Sequence, residues 1–378
     1  MCGIVGAVNY ESFNHKEVLN TINHRGPDHQ SSFSFNNLWL GHTRLSIIDL
    51  SKNGNQPICF DDDFTLVFNG EIYNYQELGR LYLNKNFHSD SVFLYELLIR
   101  FSNKKDELFN IIKIFKGMWS FVFFDKKNNT LFLLRDLFGK KPLYYNKENN
   151  KFIFSSEFGA IKKILNRKVN RDEIVLQEVL KYRFSYRESP FIDVIMLEKG
   201  SYAIYDLSTN KLDVKKYFNT FDLIKDMDPY LINSDNIERI DSVLNKSIKF
   251  RMVSDVKIGS ITSGGLDSSL ISAIAHGINN KLELFHVNVE DASETNYAEI
   301  LSESLNAKLH IYNFSKNDFI KNHEKALEHY EYPMVHPNNI ALLGLSKMAF
   351  SLDTKVLLSG EGADEIFLGY RWFKDFSN

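Results

Sequence analysis

Two cysteines in 378 residues, Cys2 and Cys59, are too few for a disulfide framework, so a reducing compartment is expected. No stretch approaches the roughly 20 apolar residues that a membrane-spanning helix needs. No apolar segment follows a basic start, as a secretory signal would require. Charge of one sign is scarce as well. Lys+Arg 45 against Asp+Glu 48 leaves a formal net charge of −3, which gives no reason to expect nucleic acid or an anionic membrane as partner. There is no Gly-Lys-Ser/Thr phosphate loop, no internal repeat and no low-complexity tract. These absences predict a soluble, cytoplasmic protein.

What is present is material for two cores. The chain is 44% hydrophobic and 14% aromatic, and long enough for two domains of ordinary size. Its first half is rich in strands. "WLGHTRLSIIDL" and "FTLVFNGEIYN" carry β-branched and aromatic runs closed by Gly, Asn or Asp. "MWSFVFFDKKNNTLFLLRD", "YYNKENNKFIFSSE" and "LEKGSYAIYDLSTNKLDVKKYF" read as hairpins. "SDSVFLYELLIRFSNK" has helical spacing. From about Ser234 the pattern changes to alternating helix and short buried strand, including "KIGSIT", "LELFHVNV", "KLHIYNF" and "TKVLLS". Alternation of that kind predicts a parallel α/β sheet. The expected domains are 1–210 (α+β) and 211–378 (α/β).

The first candidate chemistry sits at the start, in "MCGIVG". Ile4, Val5, Ala7 and Val8 read as a buried strand that would hold Cys2 against the core. If Met1 is removed, Cys2 carries both a thiol and a free α-amine. An α-amine has an ordinary pKa near 8 and can take the thiol's proton in place of a histidine. Position alone leaves a buried structural cysteine as the alternative.

"MCGIVG", "HRGPD", "RLSIIDL", "NGEIYN" and "RDLFGKKPLYY" occur in this order. Together they resemble the glutaminase domain of class II glutamine amidotransferases, which are N-terminal-nucleophile hydrolases with an αββα sandwich. The resemblance implies that Cys2 attacks the side-chain amide of glutamine, releasing ammonia and leaving a glutamyl thioester. Asn69 and the Gly70 N–H would form the oxyanion hole. Arg44 would grip the glutamine α-carboxylate beside Leu45, and Glu71 and Asp90 would hold its α-ammonium. Arg25, Gly26, Pro27 and Asp28 read as a structural turn beside the site.

The second candidate chemistry is "GSITSGGLDSSLISAI", a strand, a Gly-rich turn and a helix start. Two glycines admit a ligand close to the backbone, the serines add donors, and a helix N-terminus favours an anion. Residues 263–269, Ser-Gly-Gly-Leu-Asp-Ser-Ser, resemble the pyrophosphate loop of ATP pyrophosphatases, and "LSGEGADEIFLGY" resembles a second motif of glutamine-hydrolysing asparagine synthetases. The likeness to that family runs over nearly the whole chain. It implies ATP and Mg²⁺, with Thr262, Ser263, Gly264, Gly265, Asp267, Ser268, Ser269, Val287, Ser359 and Gly360 around the nucleotide. Asp267 and Asp364 would carry the metal, and Glu361 would help to form an acyl-adenylate.

Aspartate is the first acceptor that the resemblance implies. A different carboxylate such as a sugar acid, or glutaminase activity alone, stays open. Lys257, Thr262 and Leu368 stand where the family usually has proline, leucine and glycine. His336 and Asn338 stand where the asparagine enzymes tend to show Asp and Ser. Family members continue past "RWFKDFSN", so the second domain is expected to be incomplete, with a homodimer or a partner chain as a source of the remainder.

Overall fold

The computed structural model describes residues 1–187, 189–223, 234–289, 294–330, 333–334 and 336–370; the closing "RWFKDFSN" and part of "EYPMVHPNN" fall outside them, whereas His336 and Asn338 are described. The chain divides into two compact units, Met1–Tyr230 and Leu231–Asn378. No described helix is long and apolar enough to cross a membrane.

The strands of the first unit are β1 (Gly3–Val8), β2 (His29–Phe35), β3 (Leu38–Arg44), β4 (Phe64–Ile72), β5 (Gly117–Asp125), β6 (Thr130–Arg135), β7 (Tyr144–Glu148), β8 (Lys151–Ser155), β9 (Ile195–Met196), β10 (Ser201–Asp206) and β11 (Lys211–Lys216). They form a six-stranded sheet, β2-β3-β1-β8-β7-β9, and a five-stranded sheet, β11-β10-β6-β5-β4. The helices are α1 (His15–Thr21), α2 (Tyr75–Leu83), α3 (Asp90–Phe101), α4 (Lys105–Lys113), α5 (Phe158–Leu165) and α6 (Glu173–Tyr182). Alternate residues of the two sheets meet in one core, with Ile4, Val8 and Phe154 from the first and Val67, Val122, Leu133 and Tyr205 from the second. The opposite face of the six-stranded sheet, carrying Val5, Ala7 and Ile153, packs on Val18 and Leu19 of α1 and on Ile161 and Ile164 of α5. Period-two alternation on β1 therefore feeds two cores at once. With α3 against β4 on the outside of the second sheet, the layers are helix, sheet, sheet, helix.

The hairpins turn at asparagines in the left-handed region, Asn129 (φ 53°), Asn149 (φ 49°) and Asn210 (φ 57°), a conformation Asn tolerates better than most residues. Helix α3 starts on Ser89, whose hydroxyl accepts the Val92 N–H at 3.4 Å. The "SIIDL" run departs from the strand expected of it. Strand β3 ends at Arg44, and the chain then turns, with the Ser46 N–H donating to Asp28 Oδ2 at 2.8 Å. Hydrophobic residues are there because Ile48 is buried, not because the backbone is paired.

The second unit comprises α7 (Ser234–Arg251), β12 (Ile258–Ile261), α8 (Leu266–Ile278), β13 (Glu283–Val289), α9 (Thr295–Leu305), β14 (Leu309–Phe314), α10 (Lys316–Tyr330), α11 (Asn338–Ser351), β15 (Val356–Leu358) and α12 (Ala363–Phe367). Its sheet has the order β14-β13-β12-β15, and every pair is parallel. One core lies under α7 and α8 (Ile248, Ile258, Ala275, Leu358) and another under α11 (Phe285, Leu345, Ala349). Strand β12 has β13 on one side and β15 on the other, so the order reverses there. In open parallel sheets such a switch point opens a crevice at the carboxyl ends of the strands.

Leu133 is fully buried between the two sheets of the first unit. Leu133→Ala should therefore cost about 2–5 kcal/mol of that unit's stability. Urea unfolding followed by tryptophan fluorescence would show a correspondingly lower midpoint, and an unchanged midpoint would mean the position is not a packed core site.

Candidate active site

Strand β1 pairs with β3 on one side and β8 on the other, so the chain's first residues are interior ones. The Ile4 N–H donates to Ser156 Oγ at 3.1 Å, and the Ser156 N–H donates to the Ile4 carbonyl at 2.8 Å. One residue earlier, Arg25 Nε donates to the Cys2 carbonyl at 2.9 Å, while its Nη1 meets Glu157 at 2.8 Å. Arg25 thus holds the Cys2 backbone from the "HRGPD" turn. The Cys2 thiol is buried and points at the Leu45 carbonyl, 3.7 Å away.

Around this thiol lies a dense, desolvated set of charges. Burial pushes the Cys2 thiol up, while the nearby N-terminal ammonium opposes the shift. Burial lowers the N-terminal amine of Met1 to about 5, and Lys141 and Arg25 push it further the same way. Lys141 is itself lowered to about 8, chiefly by burial. On the acidic side, burial raises Glu71 well above the ordinary carboxylate range, with Asp90 adding repulsion, and burial raises Asp90 to about 7. The Ile72 N–H holds Asp90 by donating to Oδ2 at 3.0 Å. Two buried carboxyls facing each other in this way are short of a cation.

Asn69 lies on β4, two residues before Glu71, and is fully buried. Among the described residues neither its Nδ2 nor its Oδ1 has a partner, which is costly for a buried amide unless a ligand completes it. Gly70 follows because a Cβ there would run into the Met118 carbonyl of β5. Arg44 ends β3 with its guanidinium buried against the 49–55 loop. Nη1 donates to the Ser51 carbonyl (2.7 Å) and Asn55 Oδ1 (2.8 Å), and Nη2 donates to the Asp49 carbonyl. A guanidinium has five N–H donors, so Nε–H and one hydrogen of Nη2 remain for a ligand. Gly54 is required beside it, since a Cβ would strike the guanidinium.

Spacing could not single out three residues of this centre. His42 is fully buried, with Nε2 3.1 Å from the Phe68 carbonyl, and burial lowers it to about 3. Asp136 accepts N–H bonds from Phe138 (3.1 Å), Lys140 (3.0 Å) and Lys141 (2.9 Å), which shapes the loop after β6. Lys141 is carried by that loop. The only sequence signal for the last two was their place in "RDLFGKKPLYY".

In the second unit the loop between β12 and α8 is held by its own serines. The Ser263 N–H donates to Ser268 Oγ at 3.0 Å, the two hydroxyls are 3.0 Å apart, and the Gly265 N–H donates to Ser263 Oγ at 3.2 Å. Gly264 sits at φ +91°, where only glycine is at ease. Gly360, after β15, lies against the start of α8: a Cβ there would sit 3.2 Å from the Ser268 nitrogen. The loop and the Ser359–Gly360 turn are therefore neighbours at the switch point. Asp267 belongs to the first turn of α8 and Asp364 to the first turn of α12.

Thr262 is buried with its hydroxyl unpartnered, and its carbonyl lies 2.8 Å from His286 Nδ1. His286 Nε2 meets Thr295 Oγ1 at 2.9 Å, tying the loop to α9. Val287, the next residue on β13, is half-buried, and Glu361 is exposed beyond Gly360. Lys257, at a usual proline position, ion-pairs with Glu283 at 2.7 Å. Leu368 takes the left-handed backbone (φ 57°) that the usual glycine would adopt freely.

A buried cysteine at position 2 on a helix–sheet–sheet–helix unit, and a parallel unit with a serine- and glycine-lined switch point, fit an amidotransferase with a nucleotide-binding domain, and the family matches show that class. Residues 1–218 match the glutamine amidotransferase domain family, and residues 239–378 match the asparagine synthase family. The chain is 33% identical, over 98% of its length, to putative asparagine synthetase (glutamine-hydrolyzing) 2 of Methanocaldococcus jannaschii, of which it covers 76%. It is 31% identical, over 99% of its length, to asparagine synthetase (glutamine-hydrolyzing) 1 of Bacillus subtilis, of which it covers 60%. The chain belongs to the glutamine-hydrolysing asparagine synthetase family.

Asp90 gives a signed pH dependence. Its carboxyl is at about 7 in the folded chain against about 3.9 unfolded, so the folded state holds the extra proton between those values. Stability contributed by that proton is present below about pH 4 and lost as pH rises through about 7. The first unit, without ligand, should lose stability across this window relative to Asp90→Asn, whose neutral amide cannot ionise. Urea midpoints of both proteins at several pH values test this, and parallel curves would contradict it.

Proposed function

We propose that this chain catalyses the glutamine-dependent, ATP-driven amidation of a carboxylate, with aspartate converted to asparagine as the reading the family supports best. The observation that carries the glutaminase half is the buried, wholly unpaired Asn69 amide beside the charged cluster at Cys2. In this reading Met1 is removed and the Cys2 amine becomes the base. The thiol proton passes to that amine as sulfur attacks the glutamine side-chain carbonyl. Asn69 Nδ2 and the Gly70 N–H receive the oxyanion, ammonia leaves, and water later releases glutamate from the thioester. The free Nε–H and Nη2–H edge of Arg44 takes the α-carboxylate beside Leu45. The ligand's ammonium enters between Glu71 and Asp90 and supplies the cation those buried carboxyls lack.

The synthetase half is argued from the switch point. Ser263, Gly264, Gly265, Ser268 and Ser269 present backbone and hydroxyl donors to the pyrophosphate part of ATP. Thr262, Val287, Ser359 and Gly360 line the remainder, and Glu361 assists acyl-adenylate formation. Mg²⁺ suits Asp267 and Asp364, because one or two carboxylates completed by substrate phosphates is its usual donor set, and it would neutralise phosphate charge there. Ammonia then displaces AMP from the activated carboxylate. The functional division is proposed near residue 210, and a homodimer or a partner chain is proposed.

Cys2→Ala should abolish synthesis from glutamine and leave synthesis from ammonium salts intact. Asp267→Ala should do the reverse for the second half, sparing glutamate release while eliminating pyrophosphate release. Loss of both activities in either variant would contradict two separable half-sites. Asn69→Ala should lower glutaminase kcat by about 10²–10³-fold, as removal of one oxyanion donor does; steady-state glutamate release measures it, and a near-normal kcat would remove Asn69 from that role.

A further inference from the structure

Strand β4 carries Asn69 and Gly70 and stands at the end of its sheet. Strand β5 pairs with one edge, and no described strand pairs along the other. Every second residue of β4 turns its backbone to that open edge. Leu66 exchanges two 2.9 Å hydrogen bonds there with Ile58, and the Ile72 N–H donates to Asp90 Oδ2 at 3.0 Å. Gly70 shares this parity, so its N–H faces the same edge.

Phe68, between Leu66 and Gly70 in that series, is held by two side chains. Its N–H donates to Gln56 Oε1 at 2.6 Å, and its carbonyl accepts from His42 Nε2 at 3.1 Å. All three residues are buried, so without these side chains the Phe68 backbone would be left unpaired away from water. Because its partner is a carbonyl, His42 carries its proton on Nε2. Burial keeps the ring neutral, and Nδ1 has no partner among the described residues.

His42 belongs to the other sheet. It lies on β3, opposite Ile4 of β1 and opposite Ser31 of β2. Ile4 faces the core between the sheets, and His42 beside it faces the same way. Its hydrogen bond therefore runs from the sheet that holds Cys2 to the strand that holds Asn69. Ser31 closes the bracket, its hydroxyl donating to the Gln56 carbonyl. The Phe68 carbonyl and the Asn69 N–H share one planar peptide unit. Pinning the oxygen fixes the plane from which Asn69 projects its amide, and the next peptide unit carries the Gly70 N–H.

We propose that His42 is a positioning residue for glutamine hydrolysis: its Nε2–H, acting with Gln56 on the Phe68 backbone, sets the two oxyanion donors of β4 against Cys2. This rests on the roles proposed above for Cys2, Asn69 and Gly70. Thioester formation and thioester hydrolysis both pass through an oxyanion, so misplaced donors slow both steps. Glutamine is gripped elsewhere, at Arg44, Glu71 and Asp90, so KM stays near its wild-type value.

The test is steady-state glutamate release by the wild-type chain, His42→Leu, His42→Gln and Gln56→Met. Rates are counted per Cys2 that glutamine shields from iodoacetamide, read on the Cys2 peptide by mass spectrometry, so loss of folded protein does not register. His42→Leu should lower kcat by about 10–10²-fold with KM within about threefold. His42→Gln keeps an amide that can donate to the Phe68 carbonyl, and it should recover most of that loss. Gln56→Met should reproduce the loss, and it decides the matter if His42→Leu does not fold. A wild-type kcat in these donor- or acceptor-free variants, or a raised KM with kcat unchanged, would overturn the inference. Equal losses in His42→Leu and His42→Gln would reduce His42 to packing and overturn it too. Wild-type protein that releases no glutamate would overturn the Cys2 reading, and the inference with it.

Discussion

The structure of the first unit depends on a chain terminus being an interior strand. Termini ordinarily fray, but β1 is paired with β3 from Gly3 to Val8 and with β8 from Val5 to Val8. Its two faces feed separate cores, one between the sheets and one beneath α1 and α5. That leaves Cys2 with almost no freedom. Arg25 fixes its carbonyl and Ser156 brackets Ile4 two residues later. If Cys2 is the nucleophile proposed above, its ordering is part of folding and not a cost met at each turnover.

Desolvation is the second consequence of that burial. The same low-dielectric surroundings push the amine and Lys141 down and the thiol, Glu71 and Asp90 up, so each group tends toward its neutral form. In the proposed reading, an amino acid that brings an ammonium and a carboxylate together would relieve these shifts, at Glu71 and Asp90 and at Arg44.

Much of this was legible in sequence where the signal is local. Asparagine between two apolar runs marked three hairpins, and helix–strand alternation after Ser234 predicted the parallel sheet, because turn geometry and periodicity are short-range properties. Local signals also misled. "SIIDL" has strand composition, yet it packs as a loop, since Ile48 needs burial and not a ladder partner. The stretch between "KLHIYNF" and "TKVLLS" holds two helices, α10 ending at Tyr330 and α11 beginning at Asn338. What composition and spacing could not give is who meets whom across the fold. Composition and spacing single out neither Lys141 nor His286. Their significance comes from what surrounds them, buried charges for one and Thr262 and Thr295 for the other. The motif strings located the neighbourhood of the site without its electrostatics.

The most direct measurement is intact and peptide mass spectrometry of the purified protein, acid-quenched moments after mixing with glutamine. A chain lacking Met1, with a glutamyl thioester on the Cys2 peptide, is the expected result. An enzyme that hydrolyses glutamine while retaining Met1, or that carries its acyl group on any other residue, would contradict the assignment of Cys2 as an N-terminal nucleophile activated by its own amine.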